Sequence, residues 1–258
     1  MESTGQGQVS LTDPDGRAMP KSPKVEVGHN AQVAVDANHR LLVVQDVTNA
    51  VTDVDQLSGT AIQAREASEA EPLPVGAEMG YSHGEAIKTC AEAGIEPHAA
   101  TPLTSAKRTS GLFGRERFTH APAQDCSHCP AGQTLACRVA PVEPGRPIRY
   151  YATAACRAWA SKARCPRHQE GRRVTRGAHE HILERRPKRV EANPALMKRR
   201  KQLVAHPCGT IKRWHDRGYV LRQGREKVPA GFSLSTLADN LRRAVTILGG
   251  PYLVRALA

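Results

Sequence analysis

His206-Pro207-Cys208-Gly209-Thr210-Ile211-Lys212-Arg213-Trp214 closes a segment, 178–215, whose apolar residues recur at helical spacing. Ala205 stands immediately before it. Lys198, Lys201 and Lys212 lie at offsets of −7, −4 and +7 from that alanine, so all three fall on one helical face. Working outward, a second helical pattern covers 232–248, where Leu234, Leu237, Leu241, Val245 and Leu248 repeat at helical spacing and are expected to pack into the core. Towards the amino end, Gly28 to Asp36 alternates loosely and Leu41-Leu42-Val43-Val44 favours strand. Ala37-Asn38-His39-Arg40 lies between them as a turn, which predicts a hairpin. Asp55 to Ala70 has helical composition, Pro72 and Pro74 bound a short strand ending at Glu78, and Gly84 to Ala93 reads as a helix stopped by Gly94. Strand, hairpin, helix, strand and helix is an α/β order.

At 258 residues the chain can bury a substantial core. It has no run of eighteen apolar residues, and Met1-Glu2-Ser3-Thr4-Gly5-Gln6-Gly7-Gln8 is polar, so neither a membrane span nor a secretory leader is expected and a cytoplasmic location follows. Seven cysteines, an odd number, suit thiols or metal ligands better than a disulfide framework. The net charge of +12 is unevenly spread: residues 1–106 hold 6 Lys or Arg against 15 Asp or Glu, a balance of −9, while residues 107–258 hold 31 against 10, a balance of +21. An acidic stretch able to attract metal ions therefore precedes a basic one suited to a polyphosphate, and nucleic acid is the leading partner.

The His206 to Trp214 stretch resembles the "acid-His-Pro-Phe-Gly-x-Ile-Lys" helix of bacterial insertion-sequence transposases of the DDE type, with Ala205 at the acid position. Val75-Gly76-Ala77-Glu78-Met79-Gly80-Tyr81-Ser82-His83-Gly84-Glu85 looks like the same family's "V-x-A-D-x-G-Y-x-x-x-E" strand end, with Glu78 in place of the aspartate. Leu11-Thr12-Asp13-Pro14-Asp15-Gly16-Arg17-Ala18-Met19 resembles its opening Asp-Pro-Asp element, followed by Gly28-His29-Asn30-Ala31-Gln32-Val33-Ala34-Val35-Asp36. With Val47-Thr48-Asn49 and Leu237-Ala238-Asp239-Asn240-Leu241-Arg242-Arg243, the resemblance runs in family order from about residue 11 to about residue 250. It implies an RNase H-like mixed sheet flanked by helices and interrupted by a Cys/Pro/Gly-rich insertion. Residues 1–100 would be the first part of the catalytic domain, 101–171 the insertion with little regular structure, and 172–250 the helical remainder. Relatives carry a helical DNA-binding region ahead of this domain, so the chain is expected to be truncated.

The resemblance also implies chemistry: two divalent ions, usually Mg2+, that activate the attacking oxygen and stabilise the leaving one during DNA strand cleavage and transfer. Hard cations need carboxylate oxygens in a tight octahedral arrangement. Asp13 is expected as the first acid and metal ligand, with Asp15 and Asp36 as alternatives. Glu78, the second, keeps the charge on a longer arm, and a displacement of about 1 Å can cost on the order of a hundredfold in rate. Ala205 has no oxygen to offer. Lys198, Lys201 and Lys212 match positions where relatives carry Tyr, Arg and Lys. With Arg213 they are expected to contact DNA, both transposon ends and target, with a homo-oligomer assembling on it. Strand cleavage is expected to be lost, which makes the chain a pseudoenzyme. A different reading is a non-catalytic basic DNA-binding module. A third, suggested by Pro141, Pro144, Pro147, Pro187 and Pro229, is a chain without a stable fold.

Cys126-Ser127-His128-Cys129 with Cys156 and Cys165 resembles the family's Cys-rich insert, Trp159 replacing its middle cysteine. Cys126, Cys129, Cys156 and Cys165 would supply four thiolates to a tetrahedral Zn2+, with His128 or His168 in reserve, or remain as unligated thiols. His179-Glu180-His181 does not make a metalloprotease site, because the position four after His179 is Leu183.

Overall fold

The computed structural model describes residues 9–21, 23–81, 83–99, 111–138, 148–153, 164–165, 173–177, 179–215 and 221–257. The chain divides into two compact units, one formed by residues 1–100 and 186–258 and the other by 101–185.

The first unit opens with the hairpin β1 (Arg17–Lys21) and β2 (Lys24–Gly28), paired antiparallel from Arg17↔Gly28 to Lys21↔Lys24. A second hairpin joins β3 (Asn30–Val35) to β4 (Leu42–Thr48), with a register shift between Ala34 and Val35. Its turn is held by Asp36. The carboxylate accepts from the His39 N–H at 2.5 Å, the Asp36 N–H donates to Leu41 O at 2.8 Å, and Arg40 takes a left-handed φ of 61°. Helix α1 (Leu57–Ser68) buries Leu57, Ala61 and Ala64, spaced four and three apart, and leaves the helix through a left-handed Glu69. Next, β5 (Leu73–Ala77), α2 (Gly84–Glu92) and β6 (Ile95–Ala99) form a parallel βαβ unit with Leu73↔Ile95 and Ala77↔Ala99 in register. Ile87 and Cys90 of α2 are fully buried in it.

This is a mixed α/β unit, but the single RNase H-like sheet expected from the resemblance is not what the described strands form: β1–β2, β3–β4 and β5–β6 are separate ladders. Alternation along a strand fixes which face is apolar. It does not fix which strand lies alongside.

The second unit carries α3 (Glu180–Leu183) near its end. The first unit resumes with α4 (Arg186–Ala192), α5 (Pro194–Thr210), α6 (Val228–Leu248) and α7 (Gly250–Leu257). Asn193 caps α5 by accepting from the Leu196 N–H at 3.1 Å, with Pro194 at the first helical position. A π-turn, Ile211–His215, follows. On α6 the expected core stripe is reversed. Leu234, Leu237, Leu241, Val245 and Leu248 are exposed, while Thr236 and Asp239 are buried. The opposite face meets β4: Asn240 accepts from the Leu42 N–H at 2.8 Å and donates to Leu42 O at 2.9 Å. Gln45 also exchanges hydrogen bonds with Ser233 and Thr236. Backbone groups at the start of β4 must find partners, and the polar face of α6 supplies them.

Residues 101–185 correct a further expectation. Instead of little regular structure, the described part holds a five-stranded antiparallel meander: β7 (Thr119–Ala121), β8 (Cys126–His128), β9 (Thr134–Arg138), β10 (Ile148–Ala152) and β11 (Val174–Gly177), adjacent in chain order. Leu135, Tyr151 and Val174 form its core, with Phe118, Cys129 and Cys137 packed against them. The Tyr151 hydroxyl donates to Asp125 at 2.7 Å and Arg149 to the same carboxylate at 3.0 Å, which pins the β7–β8 turn to β10. Strands of three to five residues are too brief for alternation to register, and the Gly and Pro that suggested an irregular insert lie between and beside them.

Candidate active site

Glu78 follows the last residue of β5, at the carboxyl ends of the parallel pair, where an α/β unit presents functional side chains. The chain turns there, the Tyr81 N–H donating to Glu78 O at 3.2 Å. The Tyr81 hydroxyl donates to Gln32 Oε1. Gln32, only 2 % exposed, sends its amide to Asn30 Oδ1 and to Asp53 Oδ1, both at 2.8 Å. Asn30 in turn donates to Asp53 Oδ1 at 2.8 Å and to Ala50 O at 3.2 Å. Asn30 and Gln32 are two apart on β3, so both amides leave the same face of the strand and converge on one carboxylate. Burial, reinforced by the negative charges of Asp53 and Glu78, pushes the Tyr81 phenol well above its ordinary value. Tyr81 is therefore a neutral hydrogen-bond donor, not a base.

Helix α5 meets this turn through Arg200, whose Nη1 lies 3.0 Å from Glu78 Oε1. Arg200, Leu203 and Pro207 share a stripe at spacings of three and four, and Leu203 and Pro207 are buried. Cys208 is next to them. Burial raises its thiol pKa, the charges of Glu78 and Asp239 add to the rise, and Lys212 opposes it. Ala205, Lys198, Lys201, Lys212 and Arg213 are all exposed. The three lysines and Ala205 thus form a solvent-facing basic strip on the side of the helix away from its buried stripe.

Asp13 has a different set of partners. Its Oδ2 lies 2.9 Å from His29 Nε2 and accepts from the Gly224 N–H at 3.2 Å, while Oδ1 accepts from the Asp15 N–H at 3.1 Å. The His29 hydrogen bond, helped by those from Gly224 and Asp15 and opposed by burial, holds the Asp13 carboxyl below the usual range. Asp15 accepts from the Arg225 N–H at 2.9 Å. The Asp13–Gly16 turn is a clasp between the start of the chain and the loop ahead of α6. Asp36 is spent on the β3–β4 turn, where burial pushes its carboxyl up and the backbone N–H groups of His39 and Asn38 more than compensate.

A divalent ion needs several oxygens converging at one point. Glu78 faces a guanidinium, both Asp13 oxygens carry hydrogen bonds, and position 205 has no side-chain oxygen. Among the described residues no three His, Cys, Asp or Glu side chains gather to hold a metal. The described residues do not fit the two divalent ions that the family chemistry requires.

Of the expected zinc set, Cys126, Cys129 and Cys165 are among the described residues. Cys126 Sγ is 3.8 Å from His128 Nε2, and Cys129 Sγ accepts from the Gln133 N–H at 3.3 Å within the β8–β9 turn. Cys156 and His168 lie outside the described residues. Of the network around Glu78, sequence reading missed Asn30, Gln32, Asp53 and Arg200. Two amides alternating on an otherwise apolar strand were a usable signal for the first two.

Residues 128–245 match the family model described as Transposase DDE domain. That stretch contains Ala205 and the lysine strip and excludes Asp13 and Glu78. The family implies a role in DNA transposition, contact with DNA and use of a divalent metal ion. No curated protein and no solved structure matches the chain. None of the described helices is long and apolar enough to cross a membrane.

Proposed function

We propose that the chain is a transposase derivative that binds DNA through its basic helices and has lost metal-dependent strand cleavage. The reading rests on one observation: on α5, the helix that meets Glu78, the residue at the position of the third acid is Ala205, and the side chain that reaches Glu78 is an arginine. Two-metal catalysis stabilises the developing charge on both the attacking and the leaving oxygen. A site with one carboxylate removed and another neutralised by a guanidinium provides neither. The basic strip is untouched by that loss, because phosphate binding needs only positive charge and access.

The test is incubation of the purified chain with supercoiled plasmid in Mg2+ or Mn2+. No nicked or linear product is expected beyond the no-protein control. Metal-dependent nicking by the unmodified chain, lost in Glu78→Gln, would overturn the proposal.

A further inference from the structure

We propose that α6 is a dimerisation element whose outward apolar stripe pairs antiparallel with the same stripe on a second copy of the chain. The two faces of the helix are used differently. Its polar face is engaged, with Thr236 and Asp239 buried and Asn240 bonded to both backbone groups of Leu42. The face left outside carries Leu234, Leu237, Leu241, Val245 and Leu248, each between 48 and 68 % exposed. Single exposed leucines are ordinary on a protein surface, but a contiguous row of large aliphatic side chains marks an interaction site.

The spacing selects the partner. Counted from Leu241, the other four residues stand at −7, −4, +4 and +7, so the stripe reads the same in both directions. A two-fold contact requires one surface to complement itself. With the axis at Leu241, the two Leu241 side chains meet, Leu237 of one copy lies level with Val245 of the other, and Leu234 lies level with Leu248. At 3.6 residues per turn, the residues four before and four after Leu241 project about 40° to opposite sides of the seam, so the ridges of one helix enter the grooves of the other. Ala238, exposed beside the row, is small enough to allow close approach. No charged residue belongs to the row, and burying it leaves no charge unpaired.

The area matches what a stable pair needs. At their observed exposures the five side chains offer on the order of 500 Å2 of apolar surface per copy, taking roughly 150–250 Å2 for a large side chain. A standard interface takes about 800 Å2 from each partner, of which about 60 % is apolar. The stripe supplies that apolar share, and the polar rim completes the rest. Such a dimer forms without nucleic acid or metal, and rests on neither DNA binding nor cleavage. In dilute monomer the stripe is bare, so charges placed on it alter assembly and leave the stability of the fold itself alone.

The experiment is sedimentation equilibrium of the nuclease-treated full chain between about 1 µM and 1 mM, the range in which a modest interface dissociates. A reversible monomer–dimer equilibrium is expected, undiminished by added salt, whereas assembly bridged by residual DNA would weaken steeply with it. Leu237→Lys with Leu241→Lys sets like charges together across the axis and should weaken association about a hundredfold or more. Leu234→Lys with Leu248→Lys, at the ends of the row, should do the same and serves if the first variant fails to fold. Ile247→Lys, exposed but off the stripe, should leave the equilibrium unchanged. Oxidising a mixture of the single variants Leu234→Cys and Leu248→Cys should give the covalent heterodimer in preference to either homodimer, as antiparallel pairing requires. The proposal is overturned if the wild type stays monomeric throughout, if both lysine pairs fold and still dimerise, or if the wild type is monomeric and the lysine pairs lower its melting temperature, in which case the stripe is covered from within the chain.

Discussion

Asp13 shows how a residue type suited to one chemistry can be occupied by another. Its carboxylate is an acceptor for His29, Gly224 and Asp15, and every bond recruits the ionised form. The folded pKa is therefore depressed below the ordinary 3.8. The contribution to stability is full above the unfolded value and is lost as pH falls through the folded one. Asp13→Asn should accordingly lower the melting temperature at pH 7 and have a smaller effect at pH 3, below the unfolded value. Melts of both proteins across that range check it. An equal difference at both pH values would remove Asp13 from the clasp. The Glu78 carboxylate is likewise occupied, by a cation from the protein, Arg200.

At the scale of elements, α6 carries the largest disagreement between pattern and packing. Leu237 and Leu241 are each 54 % exposed, whereas Ile87 on α2 is 0 % exposed. Leu237→Lys with Leu241→Lys should change unfolding free energy by less than about 0.5 kcal/mol per site, as surface substitutions do. Ile87→Ala should cost roughly 2–5 kcal/mol, the range for deleting a buried aliphatic chain. Urea titrations of the two variants decide the matter, and a large loss from the lysine pair would mean that the leucine face is covered. The existence of α6, of the β3–β4 hairpin and of the strand ending at Glu78 was legible in the sequence, because helical periodicity, a turn cluster and flanking prolines are local signals. The inward side of α6 was not. Periodicity locates an apolar stripe, but a polar stripe carrying Thr236, Asp239 and Asn240 can win the contact when strand backbone needs hydrogen-bond partners. The meander of residues 119–177 was missed for a related reason, its strands being shorter than the window in which alternation is visible.

Across the whole molecule, charge that is segregated along the chain is redistributed by folding. Residues 186–258 contain 16 Lys or Arg and 4 Asp or Glu, and they share a unit with the 6 Lys or Arg and 15 Asp or Glu of residues 1–100. That unit carries 22 against 19, or +3, while residues 101–185 carry 15 against 6, or +9. The lysine strip of α5 and the π-turn after it thus projects from a unit that is nearly neutral, so the DNA contact proposed for it would be a local effect of position. Replacing Lys198, Lys201 and Lys212 together by Ala should weaken binding to a DNA duplex and reduce the slope of log affinity against log salt by up to about 3, since each phosphate contact contributes roughly 0.9. Fluorescence anisotropy between 50 and 200 mM salt measures it, and an unchanged slope would place the DNA contacts elsewhere.

The sequence by itself determined the β3–β4 hairpin and the helices of the first unit, the motif residues that align with a transposase, and the absence of an acid at position 205, because each is a property of neighbours along the chain. Only the tertiary structure decided that Arg200 faces Glu78, that Asp53 gathers Asn30, Gln32 and, through Gln32, Tyr81, and that Asp13 closes on Gly224. Those pairings join residues tens to hundreds of positions apart, and local periodicity holds no information about which distant side chain a carboxylate will meet.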